Sequence, residues 1–447
     1  MSTSIAQALD GTPLTRRHRV VTAVVGASLF FDIYDIFLAG TIGSVLSKQF
    51  HVAGTELALL LSSSFFGMFV GAILFGRLAD RLGRRTAFLL NLGLYSFFTL
   101  LGAFSNGIAM LIALRFIAGL GIGAQPPVCD CYLNEVLPAR SRGKYLAWAY
   151  TVSFLGVAAV GFLARFLVPI SPLGLNGWRW LFILGGIGGA VVWLLAMRLL
   201  PESPRWLESR GRWGQALVVL KTFSSKVVDS LLPTSEAGRR SARVSISALF
   251  SPEYSKRTIM LWVFHLLQAV GYYGFGTLVP LVLAAKGISI INSLTYVALS
   301  FIGYPLGALL SVPIIEKVDR KWLIVGSALL MAIFGVLFGA SGSALLIVAF
   351  GFLYTLVSNI FSNAFHVFQA EIFPTPVRAT ATGTAYSLSR LATGLLPFVL
   401  LPVLSHQGAV VMFAVIAGCL LVVMLDIAIL APRTTGRSLE VVSPVVE

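Results

Sequence analysis

A chain of 447 residues that is 57% hydrophobic and only 11% charged, with a mean hydropathy of +0.88, cannot cover itself with polar surface as soluble domains do. The formal charge of +15 would suit a nucleic-acid partner, yet most of the 33 Lys and Arg fall in turns between apolar stretches, as membrane topology requires. Cys129, Cys131 and Cys419 lack CxxC or metal-ligand spacing, and no Ser-His-Asp, metal or phosphate constellation is concentrated anywhere, so enzyme, cofactor and metal readings find no support.

In chain order, residues 1–19 form a basic N-terminal segment containing Arg16, Arg17 and Arg19. Apolar stretches of about 18 to 25 residues then predict spanning helices over 20–45, 56–76, 86–104, 108–131, 144–168 and 179–200. The first is too long for a removable signal peptide and carries two Asp residues. A polar segment over 201–256 follows, in which Arg212 to Phe223 predicts an amphipathic surface helix and Ser224 to Arg243 a flexible linker. Six more spans are predicted over 257–284, 291–314, 322–341, 344–370, 379–404 and 408–431, ahead of a tail over 432–447. The expectation is an all-α membrane protein of twelve transmembrane helices in two six-helix bundles, 20–200 and 257–431. The bias of Lys and Arg toward alternate turns puts both termini in the cytoplasm.

The halves repeat. Glu135, Pro138 and Arg142 recur as Glu371, Pro374 and Arg378 with identical internal spacing, 236 residues further on. Asp80-Arg81 recurs as Asp319-Arg320 at a separation of 239. Corresponding turns on one side of the membrane imply parallel repeats related by an axis along the membrane normal. Within FGRLADRLGRR, residues 75–85, glycines permit a tight turn, and Asp80 can join the arginines in a charge network.

That segment resembles the signature of the major facilitator superfamily, and the resemblance extends over essentially the whole chain. It implies the major facilitator fold and a cytoplasmic gate made of Asp80, Arg84, Glu135 and Arg142, with Glu135 and Arg142 as partners in a latch of the outward-facing state. The second copy, which includes Asp319 and Arg320 with Glu371 and Arg378, lacks the glycines, which weakens its case as a latch. PESPRWL, residues 201–207, stops a helix at its prolines and is similar to a motif of sugar porters, niacin transporters, synaptic vesicle glycoproteins and organic ion transporters. It assigns a branch and no substrate.

The rarest signals are charges inside the hydrocarbon, where each costs roughly 2.5 to 3.5 kcal/mol on insertion scales and needs a partner or a wet cavity. Asp32 and Asp35 share a face of the first span, and Arg115 reaches a depth similar to that of Asp35. An Asp held between burial and a nearby Arg can load and release a proton, so Asp35, with Asp32 and Arg115, is the candidate coupling site. The alternative is a permanent Asp35-Arg115 pair that only ties two helices together. The FFDIYDIF stretch is similar to the Asp-x-x-Asp pattern of aromatic-acid:proton symporters and niacin transporters.

Arg390 is the substrate candidate, because a midplane guanidinium offers a planar fork for a carboxylate; a structural Arg is the competing reading. Its position twelve residues after Arg378 is similar to that of the helix-11 arginine of organic anion, niacin and aromatic-acid transporters. Gln268, Tyr272 and Tyr273 lie at a similar depth, as do Asn359, Ser362 and Asn363, and Gln125 stands where niacin-transporter-like proteins often carry Glu. Interhelical hydrogen bonding is an equally good use for any one of them. The GLGIG stretch at Gly119 to Gly123 reads as a close-packing surface and not as a phosphate loop.

Taken together, these features predict a monomeric, multi-pass secondary transporter of a bacterial inner membrane that carries a small organic anion, such as nicotinate or a benzoate, with protons. A sugar or sugar-acid porter and a transporter-like nutrient sensor are the other readings. No cofactor, metal or nucleic acid is expected.

Overall fold

Removed from water, backbone amides in an apolar stretch can be satisfied only within their own segment, which dictates helix. The computed structural model describes residues 5–223, 249–252, 254–315, 317–373 and 375–434, and it is helical, with no strand among the described residues. A short α1 (Ile5–Asp10) precedes α2 (Arg16–Thr41) and its continuation α3 (Gly43–Phe50). Next come α4 (Gly54–Leu82), α5 (Arg84–Gly102), α6 (Ile108–Val136), α7 (Ala139–Ile170) and α8 (Gly177–Leu199). Two surface helices, α9 (Pro204–Ser209) and α10 (Trp213–Phe223), precede the second half; α10 falls where an amphipathic helix was expected, and the expected linker at 224–243 lies outside the described residues. The second half comprises α11 (Ser255–Ala285), α12 (Ile290–Phe301), α13 (Gly303–Ile314), α14 (Arg320–Ala340), α15 (Ala344–Glu371) and α16 (Thr375–Leu430).

Ten helical stretches among the described residues are long and apolar enough to cross a membrane. Residues 290–314 count as one of them, α12 and α13 together, and so does α16, although Gly408, at φ 84° and ψ 177°, breaks its helical backbone. That positive φ is open to glycine and strains other residues. The α5 helix, 19 residues long, is not among the ten.

The turns are held by side chains that reach across the sequence. Gly83, at φ 105°, separates α4 from α5, and the freed amides of Arg84 and Arg85 donate to Glu202 Oε1 at 2.8 and 3.0 Å. Glu202 belongs to the PESPRWL segment, so the stop after α8 also caps α5. In the second half Asp319 caps α14 through the Lys321 amide at 3.0 Å.

Small residues set the closest helix approaches. A Cβ on Gly67 or Gly71 would strike the backbone of Phe116 or Leu120, and one on Gly119 or Gly123 would strike that of Ser64 or Met68, so α4 and α6 meet backbone to backbone. The GLGIG stretch is therefore a packing surface, as expected. Large apolar side chains such as Leu74, Phe97, Phe166, Leu345 and Ile429 point outward, as a lipid-facing belt demands.

The two halves meet through α2 with α11, α7 with α12 and α13, and α4 with α16. Gly40 packs on Thr277 and Phe37 on Tyr273, both near the C-terminal ends of α2 and α11, so these two helices run in the same direction. Cross-half contacts toward the face away from the start of α2 include Gly161 on Ala298, Phe66 on Phe398, and Arg165 Nε donating to Thr295 at 2.6 Å.

Candidate transport site

The first half buries its acids. Asp32 and Asp35 are each 1% exposed on α2, and Arg115 on α6 is 3% exposed. Arg115 Nη1 stands 3.9 Å from Asp35 Oδ2, long for an ion pair, while its Nη2 donates to the Asp35 carbonyl at 3.4 Å. Thr99 Oγ1 on α5 donates to Asp35 Oδ1 at 3.0 Å, and the Phe182 ring of α8 lies 5.8 Å from the guanidinium. The expected pairing of Asp35 with Arg115 is present in loose form. Asp32 is different, because neither of its oxygens has a hydrogen-bond partner among the described residues. Tyr95 of α5 stands beside it and donates to the Ser28 carbonyl at 3.4 Å.

The second half buries a cation among phenols. Arg390, 7% exposed on α16, donates from Nη1 to Tyr273 Oη at 2.6 Å. Its guanidinium carbon lies 4.9 Å from the Tyr273 ring centre and 4.4 Å from that of Tyr386. Two π faces stabilise the charge without neutralising it. Its Nε has no hydrogen-bond partner among the described residues, and no carboxylate is paired with it there. Tyr386 lies within electrostatic range of both Arg390 and Asp32, so the acid of one half and the cation of the other are neighbours through one phenol. Tyr273 also contacts Phe37 of α2 and Phe65 of α4, at ring separations of 6.3 and 5.5 Å. Aromatic faces from both halves thus surround the guanidinium.

The remaining candidates divide. Gln268 is buried one turn before Tyr272 on α11, and Tyr272 stacks edgewise on Tyr273 at 5.0 Å, beside the Arg390 cluster. Asn359 and Asn363 are committed elsewhere: Asn359 donates to the Tyr304 carbonyl and Asn363 to Ser311 Oγ, which ties α15 to α13. Gln125 is fully buried and donates to Ser28 Oγ at 3.4 Å, holding α6 to α2. Helix packing claims these three amides.

At the face carrying the charged turns, Arg84 Nε pairs with Glu135 at 3.0 Å, and the repeat mate of Glu135, Glu371, pairs with Arg320 at 3.3 Å. The side chain of Asp80 lies outside the described residues. The repeat-mate arginines of these turns have other partners here. Arg142 is not joined to Glu135 but to Asp10 of α1 at 3.3 Å, because Arg205 and the Ala139 amide converge on the same Asp10 oxygen, at 2.8 and 3.1 Å, and fix it there. Arg378 turns back on its own helix start and donates to the Phe373 carbonyl at 3.0 Å. Burial nearby raises the Glu208 carboxyl above the usual carboxylate range, against the Ile5 amide that donates to it.

Sequence reasoning passed over Tyr386, Thr99 and Asp10. For Tyr386 a signal was present: Ala149-Tyr150 through Ser153 recurs as Ala385-Tyr386 through Ser389 at the same 236-residue separation, with Arg390 in the place of Phe154.

Known proteins agree with this architecture. The family described as "Sugar (and other) transporter" matches residues 20–445. The chain is 31% identical over 440 residues to the metabolite transport protein YyaJ of Bacillus subtilis, covering 97% of this chain and 96% of that one. It is 28% identical over 437 residues to the niacin transporter NiaP of Acinetobacter baylyi, covering 97% and 98%. It is also 28% identical over 395 residues to the 4-hydroxybenzoate transporter PcaK of the same organism, covering 86% and 85%. Among solved structures, the partially occluded inward-open xylose transporter XylE of Escherichia coli superimposes with a TM-score of 0.77 at 21% identity, over 95% of this chain and 100% of that one. A match across nearly the whole chain, a shared fold and a membrane-spanning helical body make this protein a member of the sugar (and other) transporter family of the major facilitator superfamily.

Proposed function

We propose that the protein is a proton-coupled symporter of a small aromatic or heteroaromatic carboxylate, working by alternating access between two six-helix bundles, 20–200 and 257–431. The observation that carries the reading is Arg390, a buried cation clasped by two tyrosine faces with no acid paired to it among the described residues. A flat carboxylate supplies the missing charge to the guanidinium and a ring to the aromatic faces of Phe37, Phe65 and Tyr273. The niacin and 4-hydroxybenzoate carriers among the relatives move ligands of this class.

Asp32 and Asp35 supply the proton side. A carboxyl that gains a proton as substrate enters and loses it on the other side couples the two fluxes, and Arg115 biases Asp35 between those states. Counting α5 and dividing α16 at Gly408 gives twelve crossings, in keeping with the XylE-like fold. The Lys and Arg of the turns at 77–85 and 140–144 then place the face carrying the start of α2 in the cytoplasm. Cross-half packing toward the opposite face supports reading this as an inward-facing state.

The experiment is uptake of labelled 4-hydroxybenzoate and nicotinate into proteoliposomes with an imposed proton gradient, with a hexose as control. Arg390→Lys and Arg390→Gln should raise the half-saturation for the carboxylate. Unchanged affinity in both removes Arg390 from the pocket, and hexose uptake in place of the acids overturns the substrate class.

A further inference from the structure

Below Asp32 and Asp35 the first half carries another acid on its long helices, one that the reading above does not use. Asp130 lies on α6 six residues before its end at Val136, about 9 Å from the face that holds the charged turns. Its Oδ1 accepts a hydrogen bond of 2.8 Å from Tyr150 Oη on α7, and among the described residues no cation pairs with it. Unlike the two acids above it, Asp130 is only half-buried.

Polar side chains occupy the interval between the proposed coupling site and Asp130. Ser28 lies one turn below Asp32 on α2, receives the Gln125 amide at 3.4 Å, and has its hydroxyl 3.8 Å from the thiol of Cys129, the residue before Asp130. The titratable groups facing Asp130 are Tyr150 from α7 and Cys129 on its own helix, with Tyr386 of α16 beyond Tyr150. Asp32 lies above the same thiol.

The internal repeat strengthens the case. The mate of Tyr150, 236 residues on, is Tyr386, which clasps Arg390, and the mate of Asp130 is His366 on α15. His366 is exposed and lies 3.2 Å from Gln369 through its Nδ1. The two halves therefore present an acid and an imidazole at equivalent places, each one helix away from a tyrosine of the shared motif.

We propose that Asp130, hydrogen-bonded by Tyr150, is a second proton-exchange site between Asp32 and the cytoplasm, a role that rests on the proton-coupled reading. In the step it serves, the Asp32 carboxyl gives up its proton toward the inner opening and the Asp130 carboxylate takes it. Asp130 then releases that proton to water at the inner opening and returns to carboxylate, while Tyr150 keeps its own phenolic proton throughout.

The test uses the full-length protein in proteoliposomes with 4-hydroxybenzoate as the probe, comparing proton-driven uptake with substrate counterflow as the internal pH is varied. Asp130→Asn should lower proton-driven uptake at least about tenfold more than counterflow and flatten its dependence on internal pH. Asp130→Glu should restore both, and Tyr150→Phe should shift the midpoint of the profile without flattening it. A purely structural acid would lower the two fluxes together and would not be rescued in the pH profile. Wild-type coupling with an unchanged Asp130→Asn profile overturns this proposal alone. Wild type showing no proton-driven uptake of 4-hydroxybenzoate or nicotinate overturns the symport reading and this site with it. An infrared difference spectrum between acid and neutral pH gives a check that needs no substrate, since the carboxyl band lost in Asp130→Asn must titrate.

Discussion

The centres of the two halves solve opposite electrostatic problems. In the first half an arginine stands at long range from one acid, and a second acid has no cation paired to it among the described residues, with Tyr95 beside it. In the second half an arginine has no acid paired to it there and is held by tyrosine faces. Because the halves descend from one repeat, the difference is a division of labour: where one copy has Phe154, the other has Arg390. On the proposed function, one half keeps acids to exchange protons and the other keeps a cation to bind an anion.

That contrast can be broken in four ways. The largest effect is expected from Asp35→Asn, which should cut proton-driven accumulation about a hundredfold or more while sparing exchange. Full concentrative uptake by this variant would show that the pair with Arg115 is only a tie between α2 and α6. Next, Arg390→Gln should raise the half-saturation for the carboxylate about tenfold to a hundredfold, the range for losing a charge-assisted hydrogen bond. Tyr386→Leu comes third, with a loss of affinity of about fivefold to thirtyfold if its ring stabilises the guanidinium. Isothermal titration with the two acids separates these cases, and a larger effect from Tyr386→Leu than from Arg390→Gln would reverse their order of importance.

The smallest effect belongs to the gate pairs. Arg84 with Glu135 and Arg320 with Glu371 are partly exposed ion pairs, each worth about 1 kcal/mol or less. Glu135→Gln and Glu371→Gln should therefore change transport rates by less than about fivefold and to a similar degree. A tenfold gap between the two would mean that only one half latches.

Much of this was legible beforehand because membrane physics leaves strong marks in sequence. Long apolar stretches, buried charges and the 236-residue repeat located the helices, Asp32, Asp35, Arg115 and Arg390. The side chains that complete each site were harder to see, since Thr99 and Tyr386 are ordinary residues in helices and acquire meaning only from what they face. For Asn359, Asn363 and Gln125 the sequence left two uses open, and their hydrogen bonds go to neighbouring helices, which is one of the two. Asp10 was hidden because α1 is only six residues long, and its hold on Arg142 and Arg205 depends on contacts far apart in the chain.

The glycines between α4 and α6 carry a mechanical consequence. With backbone pressed on backbone at Gly67, Gly71, Gly119 and Gly123, there is no layer of side chains to shear, so the two helices must travel as a single beam. Spin labels on their lipid-facing surfaces should keep a fixed separation through every step of the cycle. That pair is an internal ruler against which the displacement of any other helix can be read.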